Sequence, residues 1–288
     1  MKTRFFALAA LALSLAACNN DNENLNGGPV AAQFTADIYE AVSTRASGTT
    51  WDNGDRIGVT DIGNDTQYGN VPFILKNGKF EAEENVIYIK DTKTHTFRAY
   101  YPYNAAGGTL AATTDATAQQ NQPAIDFLFA SGATGDKDSP VVSFTDDHAF
   151  HHRMSRITLT FEAGDGVDFS VIKPEGYTLG DVILTGTFNT ADGIAAADGT
   201  AEALAMDLAD GSLTSSVILF PQTAASLPLV VNFNDVEYKA TLTVPEGALQ
   251  AGNNYTYTVK VRNKGIEVSE ATIAKWNDID GGEVGADL

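Results

Sequence analysis

Acidic residues outnumber basic ones in this chain of 288 residues, with 37 Asp and Glu against 18 Lys and Arg and a formal net charge of −19. Binding to nucleic-acid backbones depends on clustered Lys and Arg, so a charge balance of this sign, spread along the chain, argues against a nucleic-acid partner. A composition with 43% hydrophobic residues and 26 glycines predicts a fully folded chain made of strands and turns.

The first eighteen residues have the layout of an export signal. Lys2 and Arg4 precede an apolar run from Phe5 to Ala17, which is shorter than the ~20 residues that span a bilayer. The run ends at Leu15-Ala16-Ala17-Cys18, the pattern of a lipobox, and Cys18 is the only cysteine. Residues 1–18 are therefore predicted to be a lipoprotein signal with Cys18 lipidated. The alternative is an ordinary secretory signal that happens to end in a cysteine.

An acidic, Asn-rich tether over residues 19–28 leads to the first predicted strand. Apolar and polar residues alternate in that strand, which is the period of a half-buried β-strand. A polar loop, residues 43–50, follows and contains Arg45, the only basic residue between the signal and Arg56. Small polar residues of this kind form exposed loops that proteases cut. The residues expected to face inward from the strand are Val30, Ala32, Phe34, Ala36 and Ile38.

Short strands continue along the rest of the chain, separated by turn sequences such as Asn77-Gly78. The stretches 104–122 and 131–140 have no clear period and are expected to be loops, the first with at most a short helix. The predicted strands cover residues 56–61, 71–75, 79–82, 86–90, 94–103, 126–130, 141–144, 150–161, 177–188, 216–220, 228–233, 238–244 and 255–262.

The order of these elements predicts an all-β fold of antiparallel sandwiches. No strand is followed by a convincing crossover helix, which argues against an α/β fold. The length of the chain favours two domains. We place the boundary near Asp146, which gives an N-terminal sandwich domain at residues 29–145 and a C-terminal one at residues 146–288.

Several short motifs, in their order and spacing, resemble the fimbrillin family, the subunits of type V pili on gut and oral anaerobes. The resemblance covers nearly the whole chain. It implies two transthyretin-like sandwich domains in tandem, assembly into a fibre that serves adhesion, a place in the outer membrane and the fimbrium, and no cofactor. The motifs are the lipobox, Thr44-Arg45-Ala46, residues 51–59, Tyr101-Pro102-Tyr103, residues 150–157, Pro221-Gln222-Thr223, residues 252–257 and Ile273-Ala274-Lys275-Trp276.

The resemblance also implies a mechanism. In the family, an arginine-specific, trypsin-like protease cuts the exported lipoprotein in the loop after the first strand. The matching position here is Arg45, which would leave Ala46 as the new amino terminus. The first strand is then displaced, and a strand from a neighbouring subunit, of the same or a related kind, fills its slot by strand addition. Candidate donor residues in the C-terminal tail are Ile266, Val268 and Ile273.

A purely structural interpretation stays open for each of these features. Arg45 is then merely an exposed arginine, the first strand stays in place, and the C-terminal strand completes its own sheet. The rival functions are a monomeric surface lipoprotein that binds glycans or another host or bacterial surface ligand, and a lipid-bound hydrolase. Within the fimbrillin interpretation, the roles of stalk, tip and anchor are all open.

One cluster, residues 146–152, contains the side-chain types that bind metals. Its histidines are His148, His151 and His152, and with two carboxylates they have the chemistry of a zinc site. Adjacent residues of an extended strand point to opposite faces, so we do not expect a metal there. The chain has no nucleophile elbow and no phosphate-binding glycine loop, and we expect no enzymatic activity.

Overall fold

Strands make up nearly all the regular structure in the computed structural model, which describes residues 28–39, 50–63, 68–209 and 211–276. The expected all-β fold is confirmed. Cys18, Arg45 and Ala46 lie outside the described residues. Within the described ranges, no helix has the length and apolar character to cross a membrane.

The first half of the described chain forms a large sheet. Eight strands lie in the order β10-β2-β5-β4-β3-β7-β9-β11, and β1 pairs separately with β6. Two short 3₁₀ helices, Ala118–Ala124 and Asp146–His148, lie among them. The strands are β1 (Val30–Ala31), β2 (Gln33–Ala36), β3 (Arg56–Asp61), β4 (Val71–Lys76), β5 (Lys79–Ala82), β6 (Tyr88–Ile89), β7 (His95–Tyr101), β8 (Thr109–Thr113), β9 (Leu128–Gly135), β10 (Val141–Phe144) and β11 (His151–His152).

The second half adds smaller sheets and the 3₁₀ helix Pro245–Gly247. Its strands are β12 (Ser155–Ala163), β13 (Gly176–Ile183), β14 (Thr185–Asn189), β15 (Ile194–Ala197), β16 (Ala201–Asp207), β17 (Thr214–Leu219), β18 (Gln222–Thr223), β19 (Ser226–Phe233), β20 (Val236–Thr243), β21 (Ala248–Leu249), β22 (Asn253–Arg262), β23 (Gly265–Val268) and β24 (Thr272–Lys275). The sheet orders are β17-β12-β22-β23 with β24 also on β22, β16-β13-β19-β20, β15-β14-β8, and β18-β21.

Buried side chains form three clusters. One lies among the strands of the first half and one among those of the second. The third cluster joins the two halves, with Tyr100, Ile125, Phe127 and Phe129 from the first and Met154, Phe188, Ile218, Phe220 and Trp276 from the second. The division into tandem domains at residue 146 stays a prediction, and β8 crosses it by pairing with β14.

Two strand pairs differ from the expected antiparallel pattern. β2 lies parallel to β10, and β12 lies parallel to β22. Both pairs join strands that are far apart in the sequence, so no turn sequence between them indicates their direction. The turn predicted at Asn77-Gly78 is present in the structure. Both residues have positive φ, at 51° and 79°, as a tight hairpin turn requires.

The expected loops contain more strand than predicted. β8 lies inside the stretch 104–122, which also contains the 3₁₀ helix, and β9 continues to Gly135 inside the stretch 131–140. Strands β15 and β16 were also missed. These segments are rich in Ala, Gly and Thr, so they have little apolar periodicity, and their strand structure comes from backbone pairing with neighbouring strands.

A buried hydrogen bond between side chains connects β3 to β7. Nδ1 of His95 lies 2.6 Å from Oδ2 of Asp61, and the two side chains are 4% and 1% exposed. The backbone N–H of Gly63 also donates to Asp61, at 2.9 Å. Asp91 lies 3.4 Å from the other ring nitrogen of His95, without hydrogen-bond geometry. Asp61 is therefore the main partner of the buried imidazole.

Candidate functional site

The N-terminal strand, defined as residues 30–38, follows the period expected from the sequence. Ala32, Phe34 and Ile38 are buried, Val30 and Ala36 are half-buried, and residues 33, 35 and 37 are exposed. Their role as a displaced strand stays a prediction.

Phe34 is the central side chain of this strand. It is 2% exposed, and its ring centroid lies 4.7 Å from that of Phe73, 5.4 Å from that of Phe97 and 6.2 Å from that of Phe144. The first two contacts are edge-to-face, which is a favoured geometry for aromatic pairs. The N-terminal strand therefore fills the middle of the first hydrophobic cluster.

The backbone of the N-terminal strand is paired more fully on one side than on the other. Toward β10 it forms a parallel ladder from Gln33 to Ala36. The ladder is extended by the N–H of Asp37, which donates to the carbonyl of Phe144 at 2.9 Å. Toward β5 it makes one bridge, between Phe34 and Phe80. Removal of the strand would therefore expose the backbone edge of β10 and leave an empty slot beside it.

Trp51 lies at the end of this slot where Ile38 pairs with Phe150. Its ring makes edge-to-face contacts with Phe80, Tyr101 and Phe150 at 5.4, 5.5 and 5.1 Å. Tyr39 and Thr50 are the described residues on either side of the loop that contains Arg45. The predicted cleavage position at Arg45 therefore lies, in the sequence, between the N-terminal strand and Trp51.

The C-terminal strands β23 and β24 lie one after the other along β22. Val268 pairs with Val259, and Lys275 pairs with Asn253. Of the candidate donor residues, Ile266 and Val268 are half-buried against the second hydrophobic cluster, whereas Ile273 is 40% exposed. In the single chain these strands complete their own sheet, so donation to a neighbour would require their release.

Trp276 anchors the end of β24. Its side chain is 4% exposed and stacks on the ring of His152, with centroids 4.4 Å apart and an interplanar angle of 2°. The guanidinium of Arg156 lies 5.9 Å from the indole centroid, and the backbone N–H of Trp276 donates to the carbonyl of Gly252 at 2.6 Å. The C-terminal strand is thus fixed to the cluster that joins the two halves.

The three histidines of the sequence cluster have separate partners. Nδ1 of His148 lies 3.1 Å from the carbonyl of Ser131. The ring of His151 stacks on Tyr39 at 4.4 Å, and Nδ1 of His152 lies 2.8 Å from Oδ1 of Asp126. Among the described residues, no group of three or more His, Cys, Asp or Glu side chains is arranged to hold a metal.

Burial lowers the pKa of His151 below its usual value of 6.5, and the charges of Arg153 and His152 act in the same direction. The folded chain therefore favours the neutral ring. As the pH falls below about 6.5, protonation of this ring destabilises the folded chain relative to the unfolded one. Acidification should therefore lower the free energy of unfolding of the wild type more than that of His151→Phe. The phenylalanine keeps a ring but cannot titrate. Urea denaturation of both proteins at about pH 7.5 and about pH 5 measures this difference, and an unchanged difference would contradict the assignment.

Three cavities surround the ends of the N-terminal and C-terminal strands. The largest, about 790 Å³, includes Ala36, Ile38, Trp51 and Phe80 in its walls. We call the second, of about 490 Å³, the histidine cavity, and it is lined by Tyr39, His151, His152, Arg153, Ala251, Gly252, Lys275 and Trp276. We call the third, of about 330 Å³, the tryptophan cavity, and its walls include Ile38, Trp51, Asp55, Tyr101, Asp126 and Trp276.

Sequence reasoning identified the N-terminal strand and the C-terminal strands but not the residues that hold their ends. From the sequence alone, the histidines are at most weak candidates for metal binding, and Trp276 is only part of a motif. In the fold, His151 and His152 are instead stacking partners for residues more than a hundred positions away, Tyr39 and Trp276. The only sequence signal for these contacts is that an aromatic residue, Tyr39 or Trp276, directly follows each of the two strands.

Comparison with known proteins gives consistent matches. Residues 44–276 match the family model described as fimbrillin-like. Fim1C of Bacteroides uniformis, provisionally named a fimbrium subunit, is 28% identical over 98% of this chain and 98% of its own length. A crystal structure from Bacteroides ovatus, provisionally described as a cell adhesion protein, has 30% identity and a TM-score of 0.74 over 88% of this chain and 100% of that one.

A more distant structure shares the fold alone. The tip fimbrial protein Mfa3 of Porphyromonas gingivalis, solved with a C-terminal truncation, is 9% identical and has a TM-score of 0.53. The aligned region covers 86% of this chain and 100% of that one. The same succession of strands is therefore compatible with very different side chains.

Proposed function

Since the chain belongs to the fimbrillin-like family and has a fimbrial structural role at the cell surface, we propose that it is delivered as a lipoprotein, cut after Arg45 and polymerised by donor-strand exchange. The fibre that results serves adhesion. Cys18 anchors the precursor to the outer membrane through its acyl chains. The partners are an arginine-specific protease, other fimbrial subunits of the same or a related kind, and a host or bacterial surface ligand.

The observation that carries this proposal is the way the N-terminal strand fills the first cluster. Its two large buried side chains, Phe34 and Ile38, are each worth ~1.5 to 3 kcal/mol of apolar burial. Backbone hydrogen bonds add ~1 kcal/mol apiece. Together these terms approach the roughly 5 to 15 kcal/mol that stabilises a whole domain. A subunit that loses the strand therefore gains strongly from any strand that replaces it.

The geometry of the slot supports strand addition as the form of replacement. β10 offers a ladder edge that already pairs with β2 in parallel, and an incoming strand would find both backbone groups and a pocket for large side chains. The strands β23 and β24 supply alternating apolar residues at Ile266 and Val268 and an exposed one at Ile273. We therefore propose them as the donor.

The position of the cut also supports the proposal. The predicted cleavage position lies, in the sequence, between Tyr39, which directly follows the N-terminal strand, and Thr50. Cleavage there would separate the whole N-terminal strand from the rest of the chain. The remaining polypeptide from Ala46 onward would keep Trp51 and the strands β3 to β24 intact.

Replacing Arg45 with alanine tests the cleavage step. We expect surface material from cells with Arg45→Ala to contain full-length monomer with a lipidated Cys18 at its amino terminus, because a trypsin-like site requires a basic residue. The wild type should begin at Ala46 and give a high-mass ladder on gels run without boiling. Mass spectrometry of the mature amino terminus, together with the ladder, measures both steps.

Arg45→Lys is the matched control for this experiment. It keeps the positive charge of the side chain. With the proposed arginine-specific protease it should behave like Arg45→Ala, whereas restored cleavage would show that the protease accepts either basic residue. Fibres of normal length from Arg45→Ala would overturn the proposed cleavage. Saturable glycan binding by the uncut monomer would instead favour a monomeric surface lipoprotein.

A further inference from the structure

Two adjacent histidines contact the ends of both strands that the proposed assembly would have to move. The ring of His151 stacks on Tyr39, which follows the N-terminal strand, with centroids 4.4 Å apart and an interplanar angle of 29°. The ring of His152 stacks on Trp276, which follows β24, at 4.4 Å and 2°. The leaving strand and the candidate donor strand are therefore held by neighbouring residues of β11.

The residue before β11 is paired with the N-terminal strand. This residue, Phe150, donates its N–H to the carbonyl of Asp37 at 2.9 Å and accepts the N–H of Tyr39 at 2.7 Å. β11 itself pairs with Leu128 and Phe129 of β9, and Arg153 extends this pairing by donating its N–H to the carbonyl of Phe127 at 2.8 Å. When the N-terminal strand leaves, both backbone groups of Phe150 lose their partners, and β11 is held on the side of β9 alone.

The cavities beside Trp276 depend on the same strand. Tyr39 and Trp276 both line the histidine cavity, and Ile38 and Trp276 both line the tryptophan cavity. Departure of the N-terminal strand removes Tyr39 from one cavity and Ile38 from the other. Trp276 would then line two wider cavities, with fewer apolar side chains around its ring.

The stacking of Trp276 depends in turn on where β11 holds His152. Asp126 bonds Nδ1 of His152, whereas its Nε2 is buried and has no hydrogen-bond partner among the described residues. The indole lies against the face of this ring, with the two rings nearly parallel. A shift of β11 that moved His152 would therefore remove the stacking contact of Trp276.

We infer that β11 is a positioning strand that couples the two events: loss of the N-terminal strand frees β24 and Trp276, so that a subunit can donate its C-terminal strand only after its own slot has opened. The inference rests on the proposed function and adds a rule for the order of steps. An uncut subunit holds both its slot and its donor strand closed through Tyr39, His151, His152 and Trp276.

The test compares hydrogen exchange of two neighbouring strands in the intact, uncut protein. In Tyr39→Ala we expect the amides of β24 (Thr272–Lys275) to exchange about two- to ten-fold faster than in the wild type, because one aromatic contact is lost. The amides of β23 (Gly265–Val268) should change less than about two-fold, since they pair with a distant part of β22. A general loss of stability would accelerate both strands alike.

Two matched variants sharpen the comparison. Tyr39→Phe keeps the ring and should restore the wild-type exchange of β24. Asp37→Ala changes an exposed side chain two residues away on the same strand and should leave β24 unaltered. The coupling is wrong if Tyr39→Ala leaves β24 protected, or if β23 and β24 accelerate equally in it.

A second measurement follows the complete step. The wild type is cut after Arg45, its N-terminal segment is removed, and exchange is measured again on the monomeric fraction, where no neighbouring subunit can protect β24. We expect β24 to exchange faster than in Tyr39→Ala, and protection equal to that of the uncut protein would overturn the coupling. The two failures can be told apart because the Tyr39→Ala comparison requires no cleavage. If that comparison fails while fibres still depend on Arg45, the coupling is wrong and the proposed function stands. If Arg45→Ala gives normal fibres, the proposed function is wrong, and the result of the Tyr39→Ala comparison is unaffected.

Discussion

Replacing Phe34 with alanine is expected to lower the free energy of unfolding by about 3 to 5 kcal/mol, the range for a buried phenylalanine truncated in a packed core. The reason is the cavity that would remain between Phe73, Phe97 and Phe144, whose rings all contact Phe34. Urea denaturation followed by circular dichroism measures the change as a lower midpoint at constant slope.

Gln33→Ala is the matched control for Phe34→Ala. It alters the next residue of the same strand, whose side chain is exposed, so the expected change is within about 0.5 kcal/mol. Equal losses in the two variants would show that the strand is held by its backbone alone. Such a result would remove the main energetic support for strand exchange, because the slot would then have little preference for large apolar side chains.

Replacing Asp61 with alanine is expected to destabilise the chain by about 1 to 3 kcal/mol, because its removal leaves buried polar groups without their hydrogen-bond partner. Here the group left behind is the imidazole of His95, which is 4% exposed. The N–H of Gly63 would also lose its acceptor. Thermal or urea unfolding provides the measurement.

Asp91→Ala separates this buried pair from general charge effects. Asp91 also lies near the ring of His95, at 3.4 Å, but its side chain is 48% exposed, so we expect a much smaller change than for Asp61→Ala. The assignment of Asp61 as the main partner would be wrong if the two variants were equally unstable. The pair matters for assembly because it fixes β3 and β7, which form the centre of the sheet that holds the slot.

The sequence predicted those parts of the fold that have local signals. Strict alternation identified the N-terminal strand, and the Asn77-Gly78 turn identified the hairpin between β4 and β5. Strands made mostly of small residues, such as β8 and β15, were not predicted because their side chains have almost no apolar period. The parallel pairing of β2 with β10 could not be predicted, since it joins segments about a hundred residues apart and no short motif specifies it.

The candidate site was predicted in outline and missed in detail. Alternation predicted the N-terminal strand that the structure contains, whereas its displacement and the donor role of the C-terminal tail stay predictions. Nothing local indicated that Tyr39 would stack on His151 or that Trp276 would stack on His152. Such contacts are set by the packing of distant elements, so histidines in a sequence suggest metal ligands more readily than aromatic partners.

The slot beside β10 and the tail on β22 lie on different parts of one molecule, and this arrangement has a consequence for chain growth. A contact between unlike surfaces does not close after two copies, so repeated insertion would give an open filament with two unlike ends. Under the coupling inferred above, a copy that retains its own β2 can neither receive a strand nor give one. Such a copy would stay outside the filament, so the rate of processing would set the supply of copies for growth.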